Sequence, residues 1–179
     1  PEREKLREKI LDDFLNIGSA RTERIDESTG YSSYVYDGEI ASDYKMELVL
    51  GLPAAGKSSR VTDPDSEADK AFILDCDVIK EMIPEYQESH GCGADAVHFE
   101  SMSIMEDAIW EFTDEHGSRR GQNVIIPLVA GDLDDLMDNY IRPFEAAGYH
   151  VKAKYVDVEE NVSMSRNIAR ELETGRIIN

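Results

Sequence analysis

Residues 51–58 have the types and spacing of a loop that binds phosphate groups. The segment Gly51-Leu52-Pro53-Ala54-Ala55-Gly56-Lys57-Ser58 fits the pattern G-x-x-x-x-G-K-[ST] and follows the apolar run 46–50. In such a loop the glycines permit a tight bend whose N–H groups point at phosphates, and the next helix adds the positive end of its dipole. The spacing predicts a nucleoside triphosphate site; a glycine-rich turn that holds no ligand is the alternative.

The side chains of this loop have separate predicted roles. Lys57 contacts the β- and γ-phosphates, and Ser58 supplies a hydroxyl to Mg²⁺, which prefers oxygen ligands. ATP or GTP is the expected phosphate donor. The residues predicted to bind it are Gly51, Pro53, Ala54, Ala55, Gly56, Lys57, Ser58 and Ser59.

Two aspartates follow the second predicted strand, in the segment Ile73-Leu74-Asp75-Cys76-Asp77. In open parallel sheets, ligands bind outside the carboxyl ends of the strands. Alternation along a strand predicts that Asp75 and Asp77 share one face while Cys76 points away. Phosphoryl transfer needs a carboxylate that accepts the proton of the acceptor hydroxyl, and we assign this role to Asp77. Asp75 is expected to be an indirect Mg²⁺ ligand or a structural acceptor; a helix N-cap is the alternative reading of the motif.

Polar residues on a long predicted helix form a second group that could meet a substrate. A helix that crosses above the sheet can turn His98, Ser101 and Glu106 toward an acceptor hydroxyl or amide. We therefore expect these three residues to contribute to substrate binding. The alternative is that each is a solvated helical residue.

Three arginines lie close together near the end of the chain. Arg166 and Arg170 are four residues apart and share a helical face, and Arg176 follows in Thr174-Gly175-Arg176. Planar guanidinium groups suit phosphate oxygens, and arginines of this kind can raise transfer rates by about 10³ to 10⁵. The pattern predicts a lid over the phosphates. The alternative is a basic helix face whose charges pair with those of Glu171 and Glu173.

Strands that alternate with helices must position these residues. This pattern predicts an α/β fold with a parallel sheet that carries helices on both faces. Pro84 and Pro143 are expected to break or kink the helices that contain them. The predicted strands are 46–50, 71–76, 123–129 and 151–158.

The first 43 residues differ from the rest of the chain. Apolar residues at helical spacing predict an amphipathic helix over 2–17, and the turn-rich stretch 18–43 is expected to be a surface linker. We therefore divide the chain into an N-terminal helix with its linker, 1–43, and a nucleotide-binding domain, 44–179. The start at Pro1 and the end at Asn179 indicate a fragment of a longer product.

Composition excludes several classes of partner. The 179 residues include 19 basic and 38 acidic side chains, a net charge of −19, which disfavours binding to nucleic acids or anionic membranes. A solvated surface that keeps the protein soluble explains the many acidic side chains, and binding to a basic partner is the alternative explanation. Two cysteines, Cys76 and Cys92, fit neither a disulfide framework nor a metal site. No apolar stretch reaches the roughly 18 residues of a membrane span, so we expect a cytoplasmic protein.

Together these motifs resemble those of the zeta toxin family of P-loop kinases. The similarity covers about residues 46–178. The motifs that carry it are the loop 51–58, the segment 73–77 with Lys80 and Pro84, His98 with Ser101, and Arg166-x-x-x-Arg170 before Thr174-Gly175-Arg176.

The resemblance implies a function and a partner. Members of the family are similar to small-molecule kinases that phosphorylate a sugar hydroxyl of UDP-N-acetylglucosamine, and many are neutralised by a small helical antitoxin. By this resemblance 44–179 is a P-loop kinase domain, Asp77 activates the hydroxyl and Glu106 touches the substrate. Lys57 then holds phosphates, Ser58 binds Mg²⁺, and Arg166, Arg170 and Arg176 are the lid arginines.

One segment departs from the family pattern. Residues 123–131 read NVIIPLVAG, where many members have an acidic residue and then a Gly-Thr-Gly-Arg-like turn. Two alternatives therefore stay open. One is a kinase for another small acceptor, such as an antibiotic, a nucleoside or a dinucleotide, and the other is a nucleotide-dependent binding module without catalysis.

Overall fold

The computed structural model describes residues 2–16, 21–25, 32–36, 39–52, 57, 70–88, 96–129, 131–157, 162, 164 and 165. The helices in these ranges are α1 (Glu2–Asn16), α2 (Cys76–Met82), α3 (Pro84–Glu88), α4 (His98–Thr113), α5 (Leu133–Leu136), the π-helical turn Met137–Ile141 and α6 (Arg142–Ala146). The strands are β1 (Arg21–Ile25), β2 (Ser32–Tyr36), β3 (Lys45–Gly51), β4 (Phe72–Ile73), β5 (Val124–Val129) and β6 (His150–Val156). None of the helices in these ranges is long and apolar enough to cross a membrane.

Four parallel strands form the sheet, in the order β4-β5-β3-β6. The strand before the phosphate loop, β3, is central. Its last residue, Gly51, is paired with Val129 at the end of β5 and with Val156 at the end of β6. Three strands therefore end level with one another, and the predicted α/β fold with a parallel sheet is confirmed.

Alternation along β3 separates two apolar clusters. Met46 and Leu48 face the larger cluster, to which the described helices contribute. Val49 faces the opposite side, where it packs with Ile73 and Ile125. Both faces of the sheet are thus buried, as expected for strands that join helices in a parallel sheet.

The N-terminal helix α1 packs directly on this core. Phe14 makes an edge-to-face contact with Phe72 of β4, and Phe72 in turn lies against Phe112 of α4. At the carboxyl end of α1, Arg119 donates to the Leu15 carbonyl at 2.5 Å and lies over the Phe72 ring. The helix predicted over 2–17 is confirmed, and it completes the core beside β4.

The stretch predicted to be a surface linker contains regular structure, so that prediction was wrong. Strands β1 and β2 pair antiparallel, with Arg21 opposite Tyr36 and Ile25 opposite Ser32. The short apolar island 34–36, noted in the sequence, belongs to β2. Paired strands form hydrogen bonds between their own backbone N–H and C=O groups, whereas the backbone of a linker would form them with water. The boundary at residue 43 stays a prediction.

The second predicted strand is shorter than expected. The range 71–76 contains only the two residues of β4, although the Leu74 amide still donates to the Ile125 carbonyl at 2.9 Å. The chain then turns into α2, which ends before Pro84 as predicted. Pro143 does not end its helix, because a π turn precedes it and the Arg142 amide donates to the Met137 carbonyl. The wider hydrogen-bonding pattern of this turn accommodates Pro143, which has no backbone N–H to donate.

A buried amide fixes the amino ends of the strands. The Asn123 side-chain oxygen accepts from the backbone amides of Asp43 and Lys45 at 3.0 and 3.2 Å, and its nitrogen donates to the Asp43 carboxylate. Gly121 has φ +85°, and an added Cβ would lie 2.6 Å from the Tyr44 ring. These contacts hold the edge of the sheet that faces away from the predicted site.

Candidate functional site

The predicted site lies at the carboxyl edge of the sheet. Gly51, Val129 and Val156 end their strands there in register, and Asp75 follows β4 at the same edge. The chain connects β3 to strands on one side of it, β5 and β4, before it crosses to β6 on the other. Ligands of open parallel sheets bind at such a reversal of strand order.

Lys57 reaches back to the end of β3. Its Nζ donates to the carbonyl oxygens of Leu52 and Gly51 at 2.7 and 3.1 Å, and its side chain is half-buried. An ammonium group has three donors, so two of them can fix its place while it keeps the charge that phosphates require. Of the residues predicted to bind the nucleotide, Gly51 and Lys57 are described. Pro53, Ala54, Ala55, Gly56, Ser58 and Ser59 lie outside the described residues.

The two aspartates belong to a helix terminus, so the prediction that they alternate on a strand was wrong. Asp75 is the N-cap of α2, and its carboxylate accepts the Asp77 amide at 2.9 Å. This bond satisfies an amide that the first helical turn would otherwise leave unpaired, which is why the strand stops and the helix begins. Asp75 is thus a structural acceptor, one of the two roles expected for it.

Asp77 lies in the first turn of α2 and is partly exposed. Its Oδ1 is 3.4 Å from the Nζ of Lys80, one turn further along the helix. The Lys80 side chain is mostly buried, so it limits the rotamers that Asp77 can adopt. Asp77 therefore presents a partly exposed carboxylate, in contact with Lys80, at the edge of the sheet where β3 ends.

Cys76, between the two aspartates, packs inward against α4. Its Sγ is 3.4 Å from the Ser101 hydroxyl and 3.8 Å from the Met102 sulfur. Burial raises the pKa of this thiol, and the hydrogen bond with Ser101 opposes that effect only in part. Cys76 is therefore a free, protonated thiol that joins α2 to α4.

Ser101 is not placed where an acceptor could reach it. Its side chain is fully buried, and its hydroxyl donates to the His98 carbonyl at 2.8 Å. The prediction of a substrate role for Ser101 is corrected accordingly, because its hydroxyl serves the contact between α2 and α4. His98 and Glu106 are exposed on α4, and the His98 ring lies 5.7 Å from that of Phe99.

The three arginines predicted to form a lid, Arg166, Arg170 and Arg176, lie outside the described residues. No group of three or more histidine, cysteine, aspartate or glutamate side chains in the described part of the chain could hold a metal ion.

Sequence reasoning missed a buried ion pair behind the loop strand. Glu47 of β3 is 1% exposed, and its Oε1 is 3.3 Å from the Nζ of Lys154 on β6. Lys152 stands directly opposite Glu47 in the ladder. The signal was present in the sequence, as a single charge within the apolar run 46–50.

Apolar residues recur at helical spacing over 133–144, but the structure buries only some of them. Leu133 is 69% exposed at the start of α5, whereas Leu136, Tyr140 and Phe144 are buried. Burial raises the pKa of Tyr140 to about 12.

Comparison with known proteins adds a family and a fold. The protein-family model described as Zeta toxin matches residues 41–179. A solved structure from the characterization of the PezAT chromosomal toxin–antitoxin system of the human pathogen Streptococcus pneumoniae is similar, with a TM-score of 0.63 and 13% sequence identity. The match covers 95% of this chain and 62% of that one, so this chain spans less than two thirds of its length. Curated protein sequences gave no match.

Proposed function

The chain belongs to the zeta toxin family, and on that premise we propose that it is a kinase for a small molecule. It transfers the γ-phosphate of ATP or GTP to a hydroxyl of a nucleotide sugar such as UDP-N-acetylglucosamine. One observation carries the proposal: Lys57 contacts the end of β3, and Asp77 lies in the first turn of α2 at the same edge of the sheet. A phosphate-binding cation and a carboxylate base are the two groups that this transfer requires.

The residues at this edge suit a triphosphate. The Nζ of Lys57 donates to the carbonyl oxygens of Gly51 and Leu52 at the end of β3. The β- and γ-phosphates are expected to bind at this position. Ser58 is the proposed protein ligand of Mg²⁺, which when bound neutralises charge on the phosphate oxygens. Arg166, Arg170 and Arg176 are the proposed lid.

Asp77 moves the proton in the proposed reaction. Its carboxylate accepts the hydrogen of the acceptor hydroxyl while the oxygen of that hydroxyl forms a bond to the γ-phosphorus. The bond from the γ-phosphorus to the bridging oxygen breaks, and the nucleoside diphosphate leaves with the electron pair. Lys80 lies 3.4 Å from Asp77, and its positive charge favours the ionised carboxylate that a base requires.

A transfer assay with matched variants tests the proposal. Purified protein is incubated with Mg-ATP or Mg-GTP and a panel of nucleotide sugars, and products are identified by mass spectrometry. We expect one phosphorylated nucleotide sugar. Asp77→Asn and Lys57→Met should lower kcat/KM by about 10² or more, because each removes a group needed in the transition state.

The controls carry the same changes of charge away from the site. Asp114→Asn follows α4, and Lys5→Met lies on the exposed face of α1. Both should keep the rate of the unmodified protein. The assignment of Asp77 fails if Asp77→Asn turns over normally, and the substrate class fails if no sugar on the panel is phosphorylated. Nucleotide binding without transfer to any acceptor indicates the binding module instead.

We further propose a helical antitoxin as a partner and the cytoplasm as the location. The similar structure comes from work on a toxin–antitoxin system, which supports such a partner for this chain. The net charge of −19 favours a partner with basic residues and disfavours nucleic acid. Co-expression with the product of the neighbouring reading frame, followed by co-purification, tests this proposal.

A further inference from the structure

The outer face of α4, residues 99, 103, 106, 107 and 110, carries two exposed aromatic side chains. Phe99 is 85% exposed, and Trp110, the only tryptophan of the chain, is 48% exposed. At about 3.6 residues per turn, these two side chains lie within about 20° of each other around the helix, opposite the buried Ala108. Tryptophan and phenylalanine are enriched where proteins bind one another. Their place on α4 therefore indicates an interaction surface.

The spacing along the outer face of α4 suits a second helix. Phe99, Ser103, Glu106 and Trp110 recur at intervals of four, three and four residues. Residues at these intervals form the seam along which one helix packs against another. Phe99 and Trp110 lie about 16 Å apart along the axis, so a partner helix of about three turns contacts both aromatic side chains.

The charges of α4 favour a basic partner. Its 16 residues include four carboxylates and neither lysine nor arginine. Glu100 accepts from arginines of α1, and Glu111 accepts from the Ser118 hydroxyl, so two of the four already have partners within the chain. Glu106 and Asp107 are exposed, and no ion pair to either is found in the part of the chain that the structure describes. These two carboxylates precede Trp110 by one helical turn, where a cation from a partner can pair with them and lie over the indole ring.

We propose that the outer face of α4 binds a helix of a protein partner that carries apolar and basic side chains. The apolar side chains of the partner pack on Phe99 and Trp110, and its lysine or arginine residues pair with Glu106 and Asp107. The net charge of −19 opposes a second copy of this chain as the occupant. The inference assigns a surface, which the proposed function does not, and it holds whether or not the chain transfers phosphate.

The fluorescence of Trp110 tests the proposal, because the emission of a single tryptophan reports on this face alone. The full chain is titrated with a synthetic helix of about 20 alanine-based residues, with leucine at the 4-3-4 spacing and lysine at the flanking positions. We expect a saturable shift of the emission to shorter wavelength. The same peptide with glutamate in place of every lysine should not bind. Equal binding of the two peptides, or no binding of the lysine peptide, overturns the inference.

Two variants separate docking on this face from general attraction to an acidic protein. Phe99→Ser should weaken binding of the lysine peptide about 10-fold or more, because aromatic anchors carry much of the energy of such contacts. Its unfolding midpoint should not fall, because the Phe99 side chain is exposed. The control is Tyr155→Ser, which removes a 58% exposed aromatic side chain from β6 and should leave the Kd unchanged.

Two results of these measurements contradict the proposal. One is an equal Kd for Phe99→Ser and the unmodified protein. The other is a Trp110 emission that shifts with protein concentration alone, because the occupant is then a second copy of the chain. No nucleotide or acceptor enters the titrations, so their outcome is independent of the transfer assay.

Discussion

At the scale of single residues, the site depends on how a strand gives way to a helix. The Asp75 carboxylate accepts the Asp77 amide and so begins α2. An N-cap of this kind is worth about 1 kcal/mol, and here it also fixes where Asp77 lies. One aspartate therefore shapes the backbone, and the other, 3.4 Å from Lys80, is the proposed base.

The buried pair of Glu47 and Lys154 gives a prediction about stability. Lys154→Met should lower the free energy of unfolding by about 3 kcal/mol, because the 1% exposed carboxylate loses a cation that lies 3.3 Å from it. The double variant Glu47→Met with Lys154→Met should regain much of that loss, since two apolar side chains need no partner. Urea unfolding measures both values.

Lys5→Met is the matched control for that experiment. It removes the same charge from an exposed position of α1 and should change stability by less than about 0.5 kcal/mol. A single variant as stable as the unmodified protein contradicts the role given to the pair. So does a double variant that is less stable than the single one.

The sequence predicted residue types at the site better than their surroundings. Lys57 and Asp77 could be singled out as candidates because spacing and order along the chain are local information. Ser101 could not be assigned correctly, because its burial depends on Cys76, which is 25 residues away in the chain. Leu133 shares the spacing of its buried neighbours, so periodicity alone could not show that its side chain is exposed.

At the scale of elements, charged residues fasten α1 to the helices near the site. Arg3 donates to Glu85 of α3 at 2.5 Å and to Glu100 of α4 at 2.7 Å, and Arg7 donates to Glu100 at 2.9 Å. The Glu100 side chain is only 11% exposed. These bonds and the buried Phe14 fix α1 on the elements that precede and follow α2.

This network predicts how stability depends on pH. The hydrogen bond from Arg3, with that from Arg7, holds the pKa of Glu100 below its usual 4.5. A carboxyl whose pKa falls on folding stabilises the protein above pH 4.5, and this contribution is lost as the pH drops through its value in the folded state. Glu100→Gln should therefore cost about 1 kcal/mol at pH 7, and the cost should shrink toward pH 3.

Unfolding by urea at several pH values checks this prediction. Glu4→Gln, on an exposed position of α1, is the control and should show no such trend. If the gap between Glu100→Gln and the unmodified protein is the same at pH 7 and pH 3, ionisation of Glu100 does not stabilise the fold.

Element types could be read from the sequence, whereas some boundaries could not. Apolar periodicity located α1, β3, β5 and β6 to within about two residues. It predicted too long a strand for β4, because Asp75 caps α2 and the helix begins soon after Leu74. It also missed the β1–β2 hairpin, since paired backbone groups stabilise strands whose sequence is rich in turn residues.

At the scale of the whole molecule, the core extends beyond the part that the family shares. The family match begins at residue 41, yet Ile10, Phe14 and Leu15 are buried in the main cluster. The helix that carries them contacts β4, the strand that leads into the Asp75–Asp77 turn. The N-terminal segment is therefore part of the scaffold that holds the proposed base in place.

Charge at this scale agrees with a small acceptor. A chain with 38 acidic and 19 basic side chains repels polymers of phosphate, whereas a single nucleotide needs only a local cluster of donors. In the proposed function, the segment 51–58 and the arginines Arg166, Arg170 and Arg176 are to supply such a cluster. We therefore attribute substrate specificity to the residues of the proposed site and not to the electrostatic field of the whole molecule.

The central claim is that this chain moves a phosphoryl group from a nucleotide onto the hydroxyl of a small molecule with Asp77 as the base. Mass spectrometry of a metabolite extract, incubated with the protein and γ-¹⁸O-labelled ATP or GTP, tests it most directly. We expect one dominant labelled metabolite, a nucleotide sugar, that disappears with Asp77→Asn and persists with Asp114→Asn. An extract without any labelled metabolite, or equal labelling by Asp77→Asn, would contradict it.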